Sequence, residues 1–249
     1  MNHLSLFSGI GGIDLAAEWA GMKTVAFCER EPFPQKVLKK HWPDVPIYDD
    51  VCTLTKERLE ADGIDTGTIG IISAGYPCQP FSVAGNRAGK EDDRHLWPEV
   101  ARLLRQLKPR WFLGENVAGH ITLGLDDVLS DLENIGYTAQ PIVIPATAIG
   151  ALHRRDRVFI PAYANGKHVE RGIEQQIQRE FEIQRLYYNG SPKEWAERSS
   201  VYEPKLSRSF NGVSGQVDRV KSLGNAVSPY QIYPILAAIK AIDDMIQAI

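Results

Sequence analysis

Short apolar runs alternate with amphipathic stretches over the first two-thirds of the chain, a pattern that predicts strands separated by helices. The segment Thr68–Ala74 is almost entirely apolar, as expected for a strand buried on both faces of a sheet. Six further runs predict strands at Leu4–Phe7, Lys23–Cys28, Pro46–Tyr48, Arg110–Gly114, Thr138–Ile144 and Arg157–Tyr163. Since helical stretches separate them, the expected fold is α/β, with a doubly wound, mostly parallel sheet.

The amphipathic stretches predict the helices. Four lie between strands, at about Ile13–Ala20, Pro32–His41, His95–Leu107 and Leu125–Ile135. A fifth, Pro229–Ile246, carries apolar residues spaced for one buried face. We expect this last helix to pack back onto the main sheet.

The composition changes after Ala164. Residues 166–188 are dominated by Glu, Gln, Arg and Lys, and residues 191–214 are rich in turn-forming types. This change predicts two parts: a catalytic and cofactor-binding domain at 1–164 plus 218–249, and a small, irregular lobe at 165–217.

Hydrophobic residues make up 43% of the chain and charged residues 24%, as in ordinary soluble proteins. The net charge of −3 does not indicate a nucleic-acid partner, so such a partner must be recognised by local basic clusters such as residues 153–157. Three cysteines, Cys28, Cys52 and Cys78, neither suggest a disulfide framework nor have metal-ligand spacing. With no leader or membrane span recognised, we expect a cytoplasmic monomer without a metal ion.

Residues 7–12, Phe-Ser-Gly-Ile-Gly-Gly, form a turn between the first strand and the first helix. Glycines there let the backbone approach a ligand closely. Glu29, at the end of the second strand, can take the ribose hydroxyls of an adenosine-containing ligand, and Asp49 and Asp50 can accept from the adenine amino group. The turn lacks the Lys-Ser/Thr ending of a nucleoside triphosphate site. The turn and these carboxylates together are equally compatible with NAD and with S-adenosylmethionine.

Cys78 follows the buried strand directly, in Gly-Tyr-Pro-Cys-Gln-Pro-Phe-Ser at residues 75–82. Ligands of a doubly wound sheet bind at the carboxyl ends of its strands, so this cysteine is expected at an active-site rim. Pro77 and Pro80 stiffen the backbone on either side of it. An inert, buried thiol is the usual state of a free cysteine, and we keep that interpretation for Cys28 and Cys52.

Glu115 ends the apolar strand Arg110–Gly114, again on the expected binding edge, and Asn116 beside it could hold the carboxyl by a hydrogen bond. Arg155 and Arg157 alternate at the start of the last strand and would point to the same face. Two guanidinium groups there could bind carbonyl or phosphate oxygens, or could be solvated surface groups.

In this order the motifs resemble the bacterial and phage DNA (cytosine-5)-methyltransferase family. They are Phe-x-Gly-x-Gly-Gly, the acidic strand end, Pro-Cys-Gln-Pro-Phe-Ser, Glu-Asn-Val, Arg-x-Arg and Gly-Asn-Ala-Val-x-Pro. The resemblance runs from Leu4 to about Tyr163 and from Arg219 into the last helix. The segment between them is short for the part of the family that chooses the DNA sequence. Ser5 and His153 depart from the pattern, at positions that are not catalytic.

The resemblance implies an S-adenosylmethionine-dependent methyltransferase fold and methyl transfer to carbon 5 of cytosine in double-stranded DNA. It implies that Cys78 is the nucleophile, that Glu115 acts at the ring nitrogen N3, and that Arg155 and Arg157 contact the cytosine edge and the active-site loop. The implied S-adenosylmethionine site consists of Phe7, Gly9, Gly11, Glu29, Asp50, Val51, Pro77, Leu96, Asn225 and Val227.

Because carbon 6 of cytosine is inaccessible inside a duplex, the resemblance also implies base flipping. A restriction-modification role, with a cognate endonuclease as partner, is a further expectation. One alternative is tRNA methylation; the relatives with that activity resemble Pro-Pro-Cys-Gln-Pro-Phe-Thr at the loop, from which Tyr76 and Ser82 differ. The other is a non-catalytic DNA- or cofactor-binding regulator, against which the intact pair Cys78 and Glu115 argues.

Overall fold

The computed structural model describes residues 1–77, 96–149, 155–164 and 226–248, together with the isolated positions 175 and 179. In these ranges the strands are β1 (Asn2–Leu6), β2 (Lys23–Cys28), β3 (Ile47–Tyr48), β4 (Ile69–Ala74), β5 (Trp111–Val117), β6 (Tyr137–Ala139), β7 (Ile142–Ile144) and β8 (Arg157–Ala164). The α-helices are α1 (Gly12–Trp19), α2 (Pro32–His41), α3 (Lys56–Ala61), α4 (Trp97–Leu107), α5 (Leu125–Ile135) and α6 (Pro229–Gln247). Short 3-10 helices lie at Thr66–Thr68, Ala118–Ile121 and Ala146–Ile149.

All eight strands belong to one sheet, in the order β3-β2-β1-β4-β5-β8-β6, with β7 also paired to β8. The neighbours from β3 to β5 are parallel, whereas β8 runs antiparallel to β5, β6 and β7. The predicted mostly parallel sheet is therefore confirmed, although βαβ units do not extend to its last strands. The 12 residues between β7 and β8 leave little room for the helical crossover that a parallel pair needs.

Three local predictions were wrong. The strand predicted at Thr138–Ile144 is split into β6 and β7, because Pro141 lies between them and has no N–H to donate to the ladder. β5 continues to Val117 instead of ending at Gly114. The helix α3 was missed because its six residues are too few for a periodic pattern, although its cap, in which Thr55 Oγ1 accepts from the Arg58 N–H, is a local signal.

Helices cover both faces of the sheet and enclose two apolar cores. On one face α1 and α6 pack together, with Ile13 and Ala17 among the buried residues of α1. On the other face α4 and α5 pack over β1, β4 and β5. Every residue of β4 is buried, as the apolar run predicts. No helix in the described ranges combines the length and apolarity needed to cross a membrane.

A carboxylate near the end of the last helix bonds it to the sheet. Asp243 in α6 accepts two hydrogen bonds from Arg110, at 2.7 and 2.8 Å, and a third from the indole N–H of Trp111, at 3.0 Å. These bonds join the C-terminal half of α6 to the start of β5. The prediction that this helix packs back onto the main sheet is confirmed.

Candidate active site

The ends of five strands meet in one row across the sheet. The strand pairing aligns the residues Tyr48, Cys28, Leu6, Ala74 and Gly114. One residue further along, the chain places a second row at the carboxyl edge of the parallel strands, consisting of Asp49, Glu29, Phe7, Gly75 and Glu115. Every residue of this row except Gly75 has a role predicted from the sequence. The parallel register therefore brings together side chains, some of which lie more than 100 residues apart along the chain.

Glu115 lies over the backbone that leads to Cys78. A Cβ atom built on Gly75 would be 3.3 Å from Glu115 Oε2 and 3.8 Å from the Phe7 carbonyl oxygen. That spacing is tighter than most side chains tolerate, so glycine at this position allows the carboxyl to approach the loop after β4. Glu115 is only 7% exposed and belongs to β5, not to a surface loop.

The antiparallel partner strand supplies a cation to this carboxyl. Arg157 is paired with Val117, which places its side chain diagonally next to Glu115 on the same face. Arg157 Nε lies 2.7 Å from Glu115 Oε1, as a buried ion pair whose N–H is not well aligned for a hydrogen bond. Burial raises the pKa of Glu115 to about 7, although Arg157 and Arg155 act to lower it. The carboxyl can therefore exchange a proton near neutral pH.

Arg155 precedes β8 with a positive φ of 32°. Its Nη2 donates to the Ala226 carbonyl oxygen at 2.6 Å, which ties the start of β8 to the segment before α6. Burial lowers the pKa of Arg155, Arg157 adds to that effect, and Glu115 opposes it. Of the two interpretations left open for the arginine pair, solvated surface groups are excluded, since both side chains make contacts within the protein.

Asn116 does not hold the Glu115 carboxyl, contrary to expectation. Its Nδ2 donates to the Tyr76 carbonyl oxygen at 3.1 Å, and its Oδ1 accepts from the Val117 N–H at 2.9 Å. The side chains of adjacent strand residues point to opposite faces, so Asn116 cannot reach its neighbour's carboxyl. It instead fixes the loop after β4, two residues before Cys78.

A second contact on this loop was not foreseen. The Tyr76 hydroxyl lies 3.0 Å from Nε2 of His120, and the Tyr76 ring packs on Trp97 with centroids 5.1 Å apart. Both Tyr76 and His120 are buried, and burial lowers the pKa of His120, which favours the neutral imidazole. The loop is thus held at both the side chain and the main chain of Tyr76. The two residues are 44 positions apart, and no local pattern signals their contact.

The glycine-rich turn is joined to the end of β2 through Glu29. Gly9 and Gly11 have positive φ values of 56° and 86°, which lets the turn curl back over the strand end. Glu29 Oε2 accepts from the Gly9 N–H, and its Oε1 accepts from the Glu31 N–H, both at 2.7 Å. Burial raises the pKa of Glu29, and these two bonds oppose the rise.

Val227, near the C-terminal end of the chain, contacts the end of the glycine-rich turn. A Cβ built on Gly12 would come within 2.3 Å of the Val227 carbonyl oxygen, so the segment before α6 lies directly against the first turn of α1. A cleft of about 470 Å³ opens beside this contact. Gly11, Arg155 and Val227 are among its lining residues.

The remaining predicted cofactor residues lie around the ends of β3 and β4. Asp50 is half-buried and accepts from the Cys52 N–H at 2.8 Å, while Val51 is buried in the core next to it. Leu96 is the N-cap of α4 and packs against the same core, and Pro77 is exposed at the end of the described loop. Cys78, Asn225 and His153 lie outside the described residues.

Ser5, where the sequence departs from the family pattern, is buried and hydrogen-bonded to the first helix. Its hydroxyl donates to Asp14 Oδ2 at 3.2 Å, and Thr24 donates to Oδ1 of the same carboxyl at 3.3 Å. His3 joins this buried cluster through Thr24 at 2.9 Å and Ser73 at 2.7 Å. Burial raises the pKa of Asp14 to about 7 and lowers that of His3 to about 3, so the group can be uncharged in the core.

The chain resembles known proteins along most of its length. The family described as C-5 cytosine-specific DNA methylase matches residues 1–211. The type II methyltransferase M.CviJI of Paramecium bursaria Chlorella virus IL3A is 37% identical over 160 residues, which are 63% of this chain and 41% of that protein. M.AquIA of Picosynechococcus sp. is 33% identical over 181 residues, covering 66% and 72%.

Among solved structures, the Dnmt2 methyltransferase of S. pombe superposes over 99% of both chains, with a TM-score of 0.69 and 15% identity, a likeness of fold. The chain spans about two fifths of the length of M.CviJI and of M2.BsuMI of Bacillus subtilis, at 41% and 42%. Members of the matched family use S-adenosylmethionine as methyl donor. With its sheet order, its row of strand ends and this match over residues 1–211, the chain belongs to the C-5 cytosine-specific DNA methylase family.

Proposed function

We propose that this chain transfers a methyl group from S-adenosylmethionine to carbon 5 of cytosine in double-stranded DNA, with Cys78 as the nucleophile. One observation carries the proposal. Glu115 is buried, which raises its pKa to about 7, and it lies 2.7 Å from Arg157 and over the backbone three residues before Cys78. A carboxyl that can give up and regain a proton at this place suits the activation of a cytosine ring.

The residues at the strand ends fit the proposed cofactor. Each carboxylate oxygen of Glu29 accepts one backbone N–H and keeps a second lone pair, so the two oxygens can accept from two ribose hydroxyls. Asp50 can accept from the adenine amino group, and Val51, Pro77 and Leu96 offer apolar contacts. Phe7, the glycines of the turn and Val227 border the remaining part, together with Asn225. When bound, S-adenosylmethionine supplies an activated methyl group on a sulfonium.

The protein's own groups activate the cytosine. The Cys78 thiolate adds to carbon 6, and a proton from Glu115 to N3 compensates the charge that develops on the ring. Arg157, and Arg155 near it, favour negative charge on the O2 oxygen. Carbon 5 thereby becomes nucleophilic and takes the methyl group. A base then removes the carbon 5 proton, the carbon–sulfur bond breaks to release the Cys78 thiolate, and N3 returns its proton to Glu115.

The proposed DNA substrate holds its target base inside a duplex. Carbon 6 is reached only if the target base leaves the stack, so we propose base flipping. We assign catalysis to residues 1–164 plus 218–249 and target recognition to 165–217. The names of the relatives include type II methyltransferases of bacteria and a virus, which supports a restriction-modification role with a cognate endonuclease.

The test is covalent trapping. A duplex in which 5-fluorocytosine replaces cytosine cannot lose its carbon 5 substituent, so the methylated adduct stays on the protein. With S-adenosylmethionine present, we expect a denaturation-resistant complex with the native chain and none with Cys78→Ser. Cys52→Ser is the matched control, because it removes the thiol of an exposed cysteine and leaves the proposed nucleophile in the chain.

A parallel incubation compares labelled cofactor with duplex DNA and with tRNA. Label in tRNA alone would replace the DNA proposal by the RNA alternative. Binding of DNA without adduct or label, across duplexes that cover many sequence contexts, would favour the non-catalytic regulator.

A further inference from the structure

The turn after β3 presents Asp50 and Val51, the two residues proposed to meet adenine. Within the turn, Asp50 Oδ1 accepts from the Cys52 N–H at 2.8 Å, and the Leu54 N–H donates to the Val51 carbonyl at 3.3 Å. These bonds are local and shape the turn, but they do not fix where it lies relative to the sheet edge.

An arginine from another element bonds this turn to the rest of the fold. Arg102, in the middle of α4, donates from Nη2 to the carbonyl oxygens of both Val51 and Leu54, each at 2.9 Å. The contact spans about 50 residues of sequence and joins the turn to a helix whose buried face packs in the core. Arg102 is not part of any motif that the sequence analysis identified.

The guanidinium is itself held in a defined orientation. Its Nε donates to Glu99 Oε2 at 2.7 Å, and its Nη1 donates to Gln106 Oε1 at 3.2 Å. Because a guanidinium is planar, fixing Nε and Nη1 also fixes the direction in which Nη2 points. A lysine at this place would supply a charge but not this rigid fork.

We infer that Arg102 is a positioning residue for adenine recognition, acting through the turn that carries Asp50 and Val51. This inference rests on the proposed function, since it assumes that S-adenosylmethionine is the cofactor. Its effect is on binding: the guanidinium holds the backbone so that Asp50 can accept from the adenine amino group. Val51 and Leu54 are buried in the core, which keeps the turn folded when Arg102 is replaced.

The experiment measures ligand binding by calorimetry, without turnover. S-adenosylhomocysteine is compared with its inosine analogue, which lacks the adenine amino group. In Arg102→Gln we expect about a 10-fold loss of affinity for S-adenosylhomocysteine, the effect of one lost charge-assisted hydrogen bond. Affinity for the inosine analogue should change much less, so that the variant loses its preference for adenine. Arg102→Lys should lose most of that preference too.

Two further variants sharpen the result. Arg105→Gln removes an exposed arginine from the same helix and should bind both ligands like the native chain. In the double variant Arg102→Gln with Asp50→Asn, the second substitution should add little, because both act on the same contact. Melting temperatures of all variants report on the fold.

The outcomes separate the inference from the proposed function. An equal loss for both ligands, or unchanged binding in Arg102→Gln, would overturn the positioning role. If the native chain binds neither ligand, the proposed cofactor itself is wrong, and the inference is wrong with it. The inference is supported if Arg102→Gln loses affinity for S-adenosylhomocysteine but not for the inosine analogue, and if Asp50→Asn causes little further loss in the double variant.

Discussion

Arg157 Nε and Glu115 Oε1 lie 2.7 Å apart in a buried pair, at the junction of two antiparallel strands. Burial raises the pKa of this carboxyl to about 7, and the arginine limits the rise. Two opposing effects thus set the proton affinity of Glu115 close to neutral pH, where a general acid is most useful. The pair predicts how activity depends on pH.

Replacing the cation should move the alkaline limb of the pH–kcat profile. If protonated Glu115 is required, native activity falls as pH rises through about 7. In Arg157→Ala the pKa of Glu115 rises further, so this limb should shift to higher pH, while the rate drops by roughly 10²-fold as a charge-stabilising donor is lost. Arg157→Lys keeps the charge and should keep the limb near its native position. An unshifted limb in Arg157→Ala would contradict the role assigned to Glu115.

Gly75→Ala should lower kcat strongly and change the melting temperature little. The added Cβ would lie 3.3 Å from Glu115 Oε2 and push the carboxyl out of place. A displacement of this kind can lower kcat by roughly 10- to 100-fold. Gly119→Ala is the control, because a Cβ at that glycine meets nothing within 4 Å. Single-turnover rates and melting curves distinguish the two variants; equal rates for both would show that Glu115 tolerates the shift.

The three cysteines should differ in reactivity. Burial, together with Glu29, raises the pKa of Cys28 to about 12, and partial burial, with Asp50, raises the pKa of Cys52. Thiolates react and thiols do not, so at pH 7 iodoacetamide should modify Cys78 first. Cys78→Ser should lower kcat by at least about 10³-fold. Peptide mapping after brief alkylation tests this, and preferential modification of Cys28 would be inconsistent with its burial.

Asp243→Asn should destabilise the fold without affecting cofactor binding. Burial alone would raise the pKa of Asp243, but the hydrogen bonds from Arg110 and Trp111 lower it overall. Because the folded-state pKa is below the ordinary value, the stabilisation is present above about pH 4 and is lost as the pH falls. We expect a loss of about 1–3 kcal/mol at pH 7 in urea unfolding, and a smaller difference near pH 3.

Asp244→Asn is the matched control, since its carboxylate contacts Lys240 in an exposed i, i+4 pair. Such a pair contributes less than about 0.5 kcal/mol. A loss in Asp243→Asn no larger than in this control would mean that the bonds from Arg110 and Trp111 to Asp243 do not stabilise the packing of α6.

Local pattern was sufficient for much of the fold. The all-apolar run of β4, the glycine-rich turn and the buried stripe of α6 are encoded in neighbouring residues, because burial of a strand or helix face requires apolar side chains at a fixed spacing. The motif order likewise indicated the family. For the same reason the prediction was wrong where the pattern was short, as at α3 and around Pro141.

Only the tertiary structure decided how these elements meet. The antiparallel direction of β8 brings Arg157 to Glu115, and the contacts of Asn116 with Tyr76 and of Arg102 with Val51 join segments 40 and 51 residues apart. A polar side chain in sequence has many partners available to it, and the choice depends on which strands pair and which groups remain to be satisfied once the core is buried. The sequence by itself determined the elements and the chemistry available at the sheet edge; the pairing of distant strands determined which of those groups act on one another.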